Sequence, residues 1–136
     1  MRDRAVLDSS VIAAVFFRDE ASARAEKVIE DHSPVTVDIA MAEVANVAWK
    51  RIAFFDEPKS GAFRAMSLSR DFILGVCEVI PTQELLDEAF EIATENQLTI
   101  YDSLFVAASE KVKVPLFTAD RRLYERTREK NDVILL

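Results

Sequence analysis

The chain has 136 residues, half of them hydrophobic and 30% charged, a length and composition that suit one domain, residues 1–136, with one apolar core. Two glycines (Gly61, Gly75) exclude the Gly-rich phosphate loops, one histidine (His32) excludes His-rich metal sites and disfavours a Ser-His-Asp arrangement, and one cysteine (Cys77) excludes an internal disulfide or a CxxC centre. A net charge of −7 makes the chain a poor non-specific nucleic-acid binder unless something reverses the local field.

In chain order, Ala5-Val-Leu7 reads as a buried strand, Ser10–Phe17 as a helix and Glu20–Asp31 as a second helix. Pro34-Val-Thr-Val37 is the next strand, followed by a long helix over Ile39–Phe55 with Met41, Val44, Ala48, Ile52 and Phe55 on one stripe. The spacing of Phe63, Met66, Ser67 and Arg70 predicts a helix over Ser60–Leu74. Val76–Ile80 is a third strand stopped by Pro81, and Thr82–Glu95 is an amphipathic helix. Thr99-x-x-Asp102 opens another helix with a capping-box pattern. Val114–Thr118 is a fourth strand, Arg121–Glu129 a helix and Val133–Leu135 a last short strand. Strands alternating with helices imply crossover connections, hence an α/β fold: three layers, α/β/α, around a mostly parallel sheet of about five short strands.

No apolar run approaches the roughly 18–20 residues of a membrane span. Met1-Arg-Asp-Arg runs straight into a strand-like segment, so no signal peptide is expected. The lone cysteine suits a reducing compartment, and the cytoplasm is the expected location.

Chemistry is left mostly to carboxylates. Asp8 follows the first strand, Asp120 follows the fourth, Glu43 lies one turn into the helix after the second strand, and Asp102 lies in the first turn of the helix feeding the fourth. In a parallel sheet, strand C-termini and the following helix N-termini share one edge, where open α/β folds bind ligands. Each acid also has a purely structural reading: Asp8 and Asp120 as N-caps, Asp102 closing a box with Thr99, Glu43 as an exposed helix residue. Asp38, which likewise separates a strand from a helix, is read as a plain cap. Jointly, four like charges converging on one cleft call for hard divalent cations with oxygen ligands.

Val6-Leu-Asp8-Ser-Ser-Val, Ala42-Glu43-Val-Ala-Asn46, Ile100-Tyr-Asp102-Ser-Leu and Phe117-Thr-Ala-Asp120-Arg-Arg-Leu123 resemble, in order and across essentially the whole chain, the PIN-domain ribonucleases. The nearest resemblance is to the VapC-type toxins of prokaryotic toxin–antitoxin pairs. It implies a PIN-like fold and an endoribonuclease dependent on one or two Mg²⁺ or Mn²⁺ ions, cytoplasmic, homodimeric and held inactive by a cognate antitoxin. Asp8, Asp102 and Asp120 would ligate metal directly or through water, Glu43 would join them, and Ser10 and Thr118 would hold the carboxylates. Two ions bring +4 and would take the chain from −7 to −3, making the cleft attractive to phosphate.

Arg121 and Arg122 open a helix, where positive charge is mildly unfavourable with the macrodipole. That placement suggests phosphate contact or pairing with the acids, with a surface accident as the alternative. Lys50, seven residues after Glu43 on the same helix face, is a further candidate for RNA contact, and Asn46 is a candidate support for Glu43. Trp49 and the phenylalanines at 54, 55, 63 and 72 are expected in the core or a subunit interface, and His32 in a turn. Two other functions fit a parallel sheet ending in Asp. A phosphotransfer or receiver-like domain is one, although Ser10 stands where a dehalogenase-type phosphatase has its second Asp and no Lys occurs at Thr118–Asp120. A non-catalytic RNA- or protein-binding module is the other.

Overall fold

The computed structural model describes residues 2–136. Strand β1 (Arg4–Leu7) leads into helices α1 (Ser9–Phe16) and α2 (Ser22–Asp31), and β2 (Ser33–Val37) into α3 (Ile39–Phe55) and α4 (Lys59–Gly75). Then come β3 (Glu78–Ile80), a 3₁₀ turn (Thr82–Glu84), α5 (Leu86–Asn96), α6 (Ile100–Val112), β4 (Leu116–Thr118), α7 (Arg121–Thr127) and β5 (Val133–Leu135).

The five strands form one sheet in the order β3-β2-β1-β4-β5, and every pairing is parallel. The chain therefore moves one way from β1 through β2 to β3, then returns to lay β4 on the other side of β1. Right-handed crossovers put the two sets of connecting helices on opposite faces of such a sheet. In agreement, α1 packs on α2, α3 and α4, whereas α6 packs on α5 and beneath β1, β2 and β4. The expected three layers are present. The sheet carries the core: Ala5, Val6 and Leu7 of β1 and Val35 and Val37 of β2 are fully buried, as continuous apolar strands covered on both faces must be.

Helix α6 is buried from Ser103 through Ser109, which is why it shows little amphipathic periodicity in the sequence. Thr99 caps it, its hydroxyl accepting the Asp102 N–H at 3.1 Å.

Several local expectations are corrected. The segment 82–95 is not one helix, because the chain turns at Leu85 between the 3₁₀ turn and α5. Strand β3 starts at Glu78, since Val76 still has a helical backbone and closes α4. On α3, Phe55 leaves the predicted stripe and is exposed, while Val44 and Ala48 are buried. Helix α4 buries Ala62, Ser69 and Ile73 rather than the face of Phe63. Trp49, Phe54, Phe55 and Phe63 are all more than half exposed, so they are not core residues. Phe72 is half-buried, 5.7 Å from the Phe16 ring. His32 ends α2 with its ring 5.0 Å from that of Phe117.

Candidate active site

The strand order decides where a ligand can sit. The strand order reverses at β1, with β2 laid on one side of it and β4 on the other, and the crevice beyond the carboxyl ends of two such parallel strands is the usual binding place of an open α/β sheet. Asp8 leaves the end of β1 there, and Asp120 leaves the loop after β4.

Asp8 is almost completely buried. Its Oδ1 accepts the Ser10 hydroxyl at 2.5 Å and the Val11 N–H at 3.2 Å, and its Oδ2 accepts the Thr118 hydroxyl at 2.5 Å. Each hydroxyl in turn accepts a backbone N–H from the β4 exit, Ala119 to Ser10 at 2.9 Å and Asp120 to Thr118 at 3.0 Å. The two strand ends are thus tied through one carboxylate, which keeps one further acceptor position of the roughly four a carboxylate offers. Burial pushes the Asp8 carboxyl up to about 6, against the pull of the Ser10 and Thr118 hydroxyls and the Val11 N–H, and the charge of Asp102 adds to the rise.

Asp120 is half-buried and caps α7, with Oδ1 accepting from the Arg122 and Leu123 N–H groups at 2.9 and 3.2 Å. Both of these bonds fall on one oxygen, so capping leaves Oδ2 available. Glu43 is half-buried on α3, and burial raises it to about 7; the Ser9 hydroxyl, 3.1 Å away, opposes the rise, while Asp102 and Asp8 reinforce it. Asp102, also half-buried, is raised by burial and by the charge of Asp120, with the Thr99 hydroxyl and the Arg122 charge pulling back. All four acids therefore lie within one electrostatic neighbourhood, and among the described residues none is in a salt bridge.

No three Asp, Glu, His or Cys side chains among the described residues close into a ready-made ligand shell. An oxygen-only set spread around a cleft fits a hard cation such as Mg²⁺. That ion sheds water reluctantly and is bound through one or two carboxylates, with water completing its shell.

The remaining expectations separate. Asn46 is exposed and is not the partner of Glu43; the hydrogen bond to Glu43 comes from Ser9. Ser9 escaped the sequence reading because its neighbour Ser10 satisfies Asp8, and only the packing of α1 against α3 turns Ser9 to Glu43. Asp38 is not a plain cap. It makes no side-chain bond to α3 and instead accepts the Thr82 N–H at 3.0 Å and the Thr82 hydroxyl at 2.5 Å. Arg121 and Arg122 are exposed; Arg121 lines a polar pocket of about 230 Å³ with Arg24 and Ala119, and the charge of Arg122 is felt at Asp102. Lys50 lies in a groove with Glu43 and Tyr101.

Residues 5–129 match the PIN domain family. The chain belongs to that family. Ribonuclease VapC3 of Pyrobaculum aerophilum is 33% identical over 122 residues, covering 89% of this chain and 92% of that protein, which places this PIN domain with the VapC ribonucleases. Two solved structures share the PIN-domain fold at low identity. The crystal structure of PAE2754 from Pyrobaculum aerophilum has a TM-score of 0.72 at 23% identity, covering 96% of this chain and 83% of that one. A toxin–antitoxin complex from Klebsiella pneumoniae has a TM-score of 0.69 at 16% identity, covering 96% and 95%.

Proposed function

We propose that this VapC-group PIN domain, residues 1–136, is a metal-dependent endoribonuclease that hydrolyses internal RNA phosphodiester bonds, with Asp8, Glu43, Asp102 and Asp120 holding Mg²⁺ or Mn²⁺. The observation that carries the reading is the gathering of four carboxylates at the reversal point of the sheet. Three of them are raised by burial and by charge within the group, and among the described residues none is in a salt bridge. Bound divalent metal would supply an activated water at neutral pH and neutralise charge on the phosphate.

The chain's own groups position that chemistry. Ser10, Thr118 and the Val11 N–H fix both oxygens of Asp8. The first turn of α7 orients Asp120 through one oxygen and leaves the other for a ligand. Ser9 holds Glu43. Arg122, whose charge is felt at Asp102, and Lys50, in the groove with Glu43, are exposed where they can meet RNA phosphates, and Arg121 is exposed beside them on α7.

The VapC relationship and the likeness to a toxin–antitoxin complex support a toxin role in the cytoplasm, under restraint by a cognate antitoxin. The exposed Trp49, Phe54, Phe55 and Phe63 on α3 and α4 support burial in a homodimer or against that antitoxin.

The purified protein is expected to cut single-stranded RNA with Mn²⁺, to stop in excess chelator, and to lose cleavage on Asp102→Ala. Cleavage that persists both in chelator and in Asp102→Ala sinks the metal reading.

A further inference from the structure

Beside the carboxylates runs a groove of about 500 Å³ between α3 and the start of α6. Glu43, Asn46 and Lys50 line it at i, i+3 and i+7 on α3, and Tyr101 stands opposite on α6, next to Asp102. Tyr101 is 56% exposed in the first turn of a helix that is buried from Ser103 through Ser109. Asn46 and Lys50 are exposed as well. An aromatic ring, an amide and a cation thus face one open groove that shares Glu43 with the acid cluster.

We propose that this groove is the base-binding subsite of the nuclease, which extends the ribonuclease reading to its specificity. One unstacked nucleobase of single-stranded RNA lies on the Tyr101 ring, Asn46 meets its hydrogen-bonding edge, and Lys50 meets the phosphate on the side away from the carboxylates. Three features carry the assignment. Sequence-specific RNA recognition uses unstacked bases laid on aromatic side chains and hydrogen-bonded along their edges. The volume lies within the range of small-ligand clefts and accommodates a base with its sugar. Charge is also graded along α3, from the carboxylate of Glu43 beside the site to the ammonium of Lys50 away from it. A phosphodiester strand whose scissile phosphate lies at bound metal is accommodated by that gradient. An acidic or purely apolar peptide gains nothing from the Glu43 end.

The test is a short single-stranded RNA carrying 2-aminopurine, titrated with the wild type, Tyr101→Phe, Tyr101→Ala and Asn46→Ala in low salt and chelator, with cleavage kinetics in Mn²⁺ alongside. Stacking is expected to quench the fluorophore with the wild type and Tyr101→Phe. Tyr101→Ala is expected to lose the quench, weaken binding at least about fivefold and raise KM more than it lowers kcat. Asn46→Ala is expected to change the ratio of cleavage rates among oligonucleotides that differ only in the base next to the cut. Quenching with the wild type but no Mn²⁺ cleavage leaves the subsite standing and overturns the nuclease reading alone. An unchanged quench and KM in Tyr101→Ala, or no quench with the wild type, overturns the subsite. So does a Tyr101→Ala variant that keeps its RNA signal and instead loses affinity for an arginine-rich peptide, which hands the groove to a protein partner.

Discussion

The same edge of the same sheet carries two links of like chemistry. At β1 and β4, Asp8 accepts the Thr118 hydroxyl at 2.5 Å, and beyond β2 and β3, Asp38 accepts the Thr82 hydroxyl at 2.5 Å. Each ties two neighbouring parallel strand ends through an Asp and a Thr. Around Asp8 the strand order reverses, and Glu43, Asp102 and Asp120 bring further negative charge. Around Asp38 the strand order runs on without reversal, and the carboxylate only clasps the start of the 3₁₀ turn. A carboxylate at a strand end becomes a candidate for catalysis through the topology around it, not through its own hydrogen bonds.

The sharpest way to break that comparison is to neutralise one acid at each place. Asn caps a helix about as well as Asp, and an Asn side-chain oxygen can accept the two Thr82 bonds that Asp38 Oδ1 accepts, so Asp120→Asn and Asp38→Asn are both expected to fold. RNA cleavage is expected to fall by about a hundredfold or more in Asp120→Asn and by no more than a few-fold in Asp38→Asn. Thermal melts give a second readout. Mn²⁺ at a hundredfold excess over Kd should stabilise the wild type and Asp38→Asn by about 2.7 kcal/mol, and Asp120→Asn should lose most of that gain. Equal metal shifts in all three proteins would place the ion elsewhere.

Proton linkage gives the Asp8 region a further readout. Asp8 and Glu43 rise from 3.8 and 4.5 to about 6 and about 7 on folding, so the folded protein holds protons that the unfolded chain has released. Stability of the metal-free protein is therefore expected to decrease as pH rises from about 4 to 7. Metal needs these groups ionised, so Mn²⁺-dependent cleavage is expected to increase across pH 6 to 7 and level off above it. Stability and activity thus run in opposite directions through one window. Urea unfolding in chelator and initial cleavage rates, each measured against pH, check the two slopes. A metal-free stability that rises through that window contradicts the account of Asp8 and Glu43.

The smallest expected effect compares the two threonines. Thr118 is fully buried and serves both Asp8 and the Asp120 N–H, so the near-isosteric Thr118→Val should cost about 1–3 kcal/mol. Thr82 and Asp38 are only half-buried, and water can replace the lost hydroxyl, so Thr82→Val should cost about 0.5–1.5 kcal/mol. Denaturant midpoints of the two variants measure the difference, and a larger loss at Thr82 would reverse the ranking of the two links.

Much of this was legible along the chain. The alternation of short apolar runs with helical patterns is local, and so is the capping chemistry around Asp8, Thr99 and Asp120. Those features gave the α/β/α layering and placed Asp8, Asp102 and Asp120 at element ends, as candidates. Local pattern failed where a residue's role depends on a distant partner. Asp38 looks like Asp8 in sequence, but its carboxylate is drawn to Thr82, 44 residues away. Asn46 has helical spacing to Glu43, yet Ser9 on another helix is the group that reaches it. Phe55 continues an apolar stripe and yet lies exposed at the last residue of α3.

The sequence by itself determined most of the elements and their parallel connection, and it singled out carboxylates as the candidate site groups, because backbone propensity, hydrophobic period and residue type act over a few residues. Only the tertiary structure decided which strands are neighbours. Laying β4 beside β1 joins Thr118 to Asp8 across 110 residues and brings Asp120 towards Asp102. That choice is made by packing helices on both faces of one sheet, a sum of non-local contacts that no window of the chain contains.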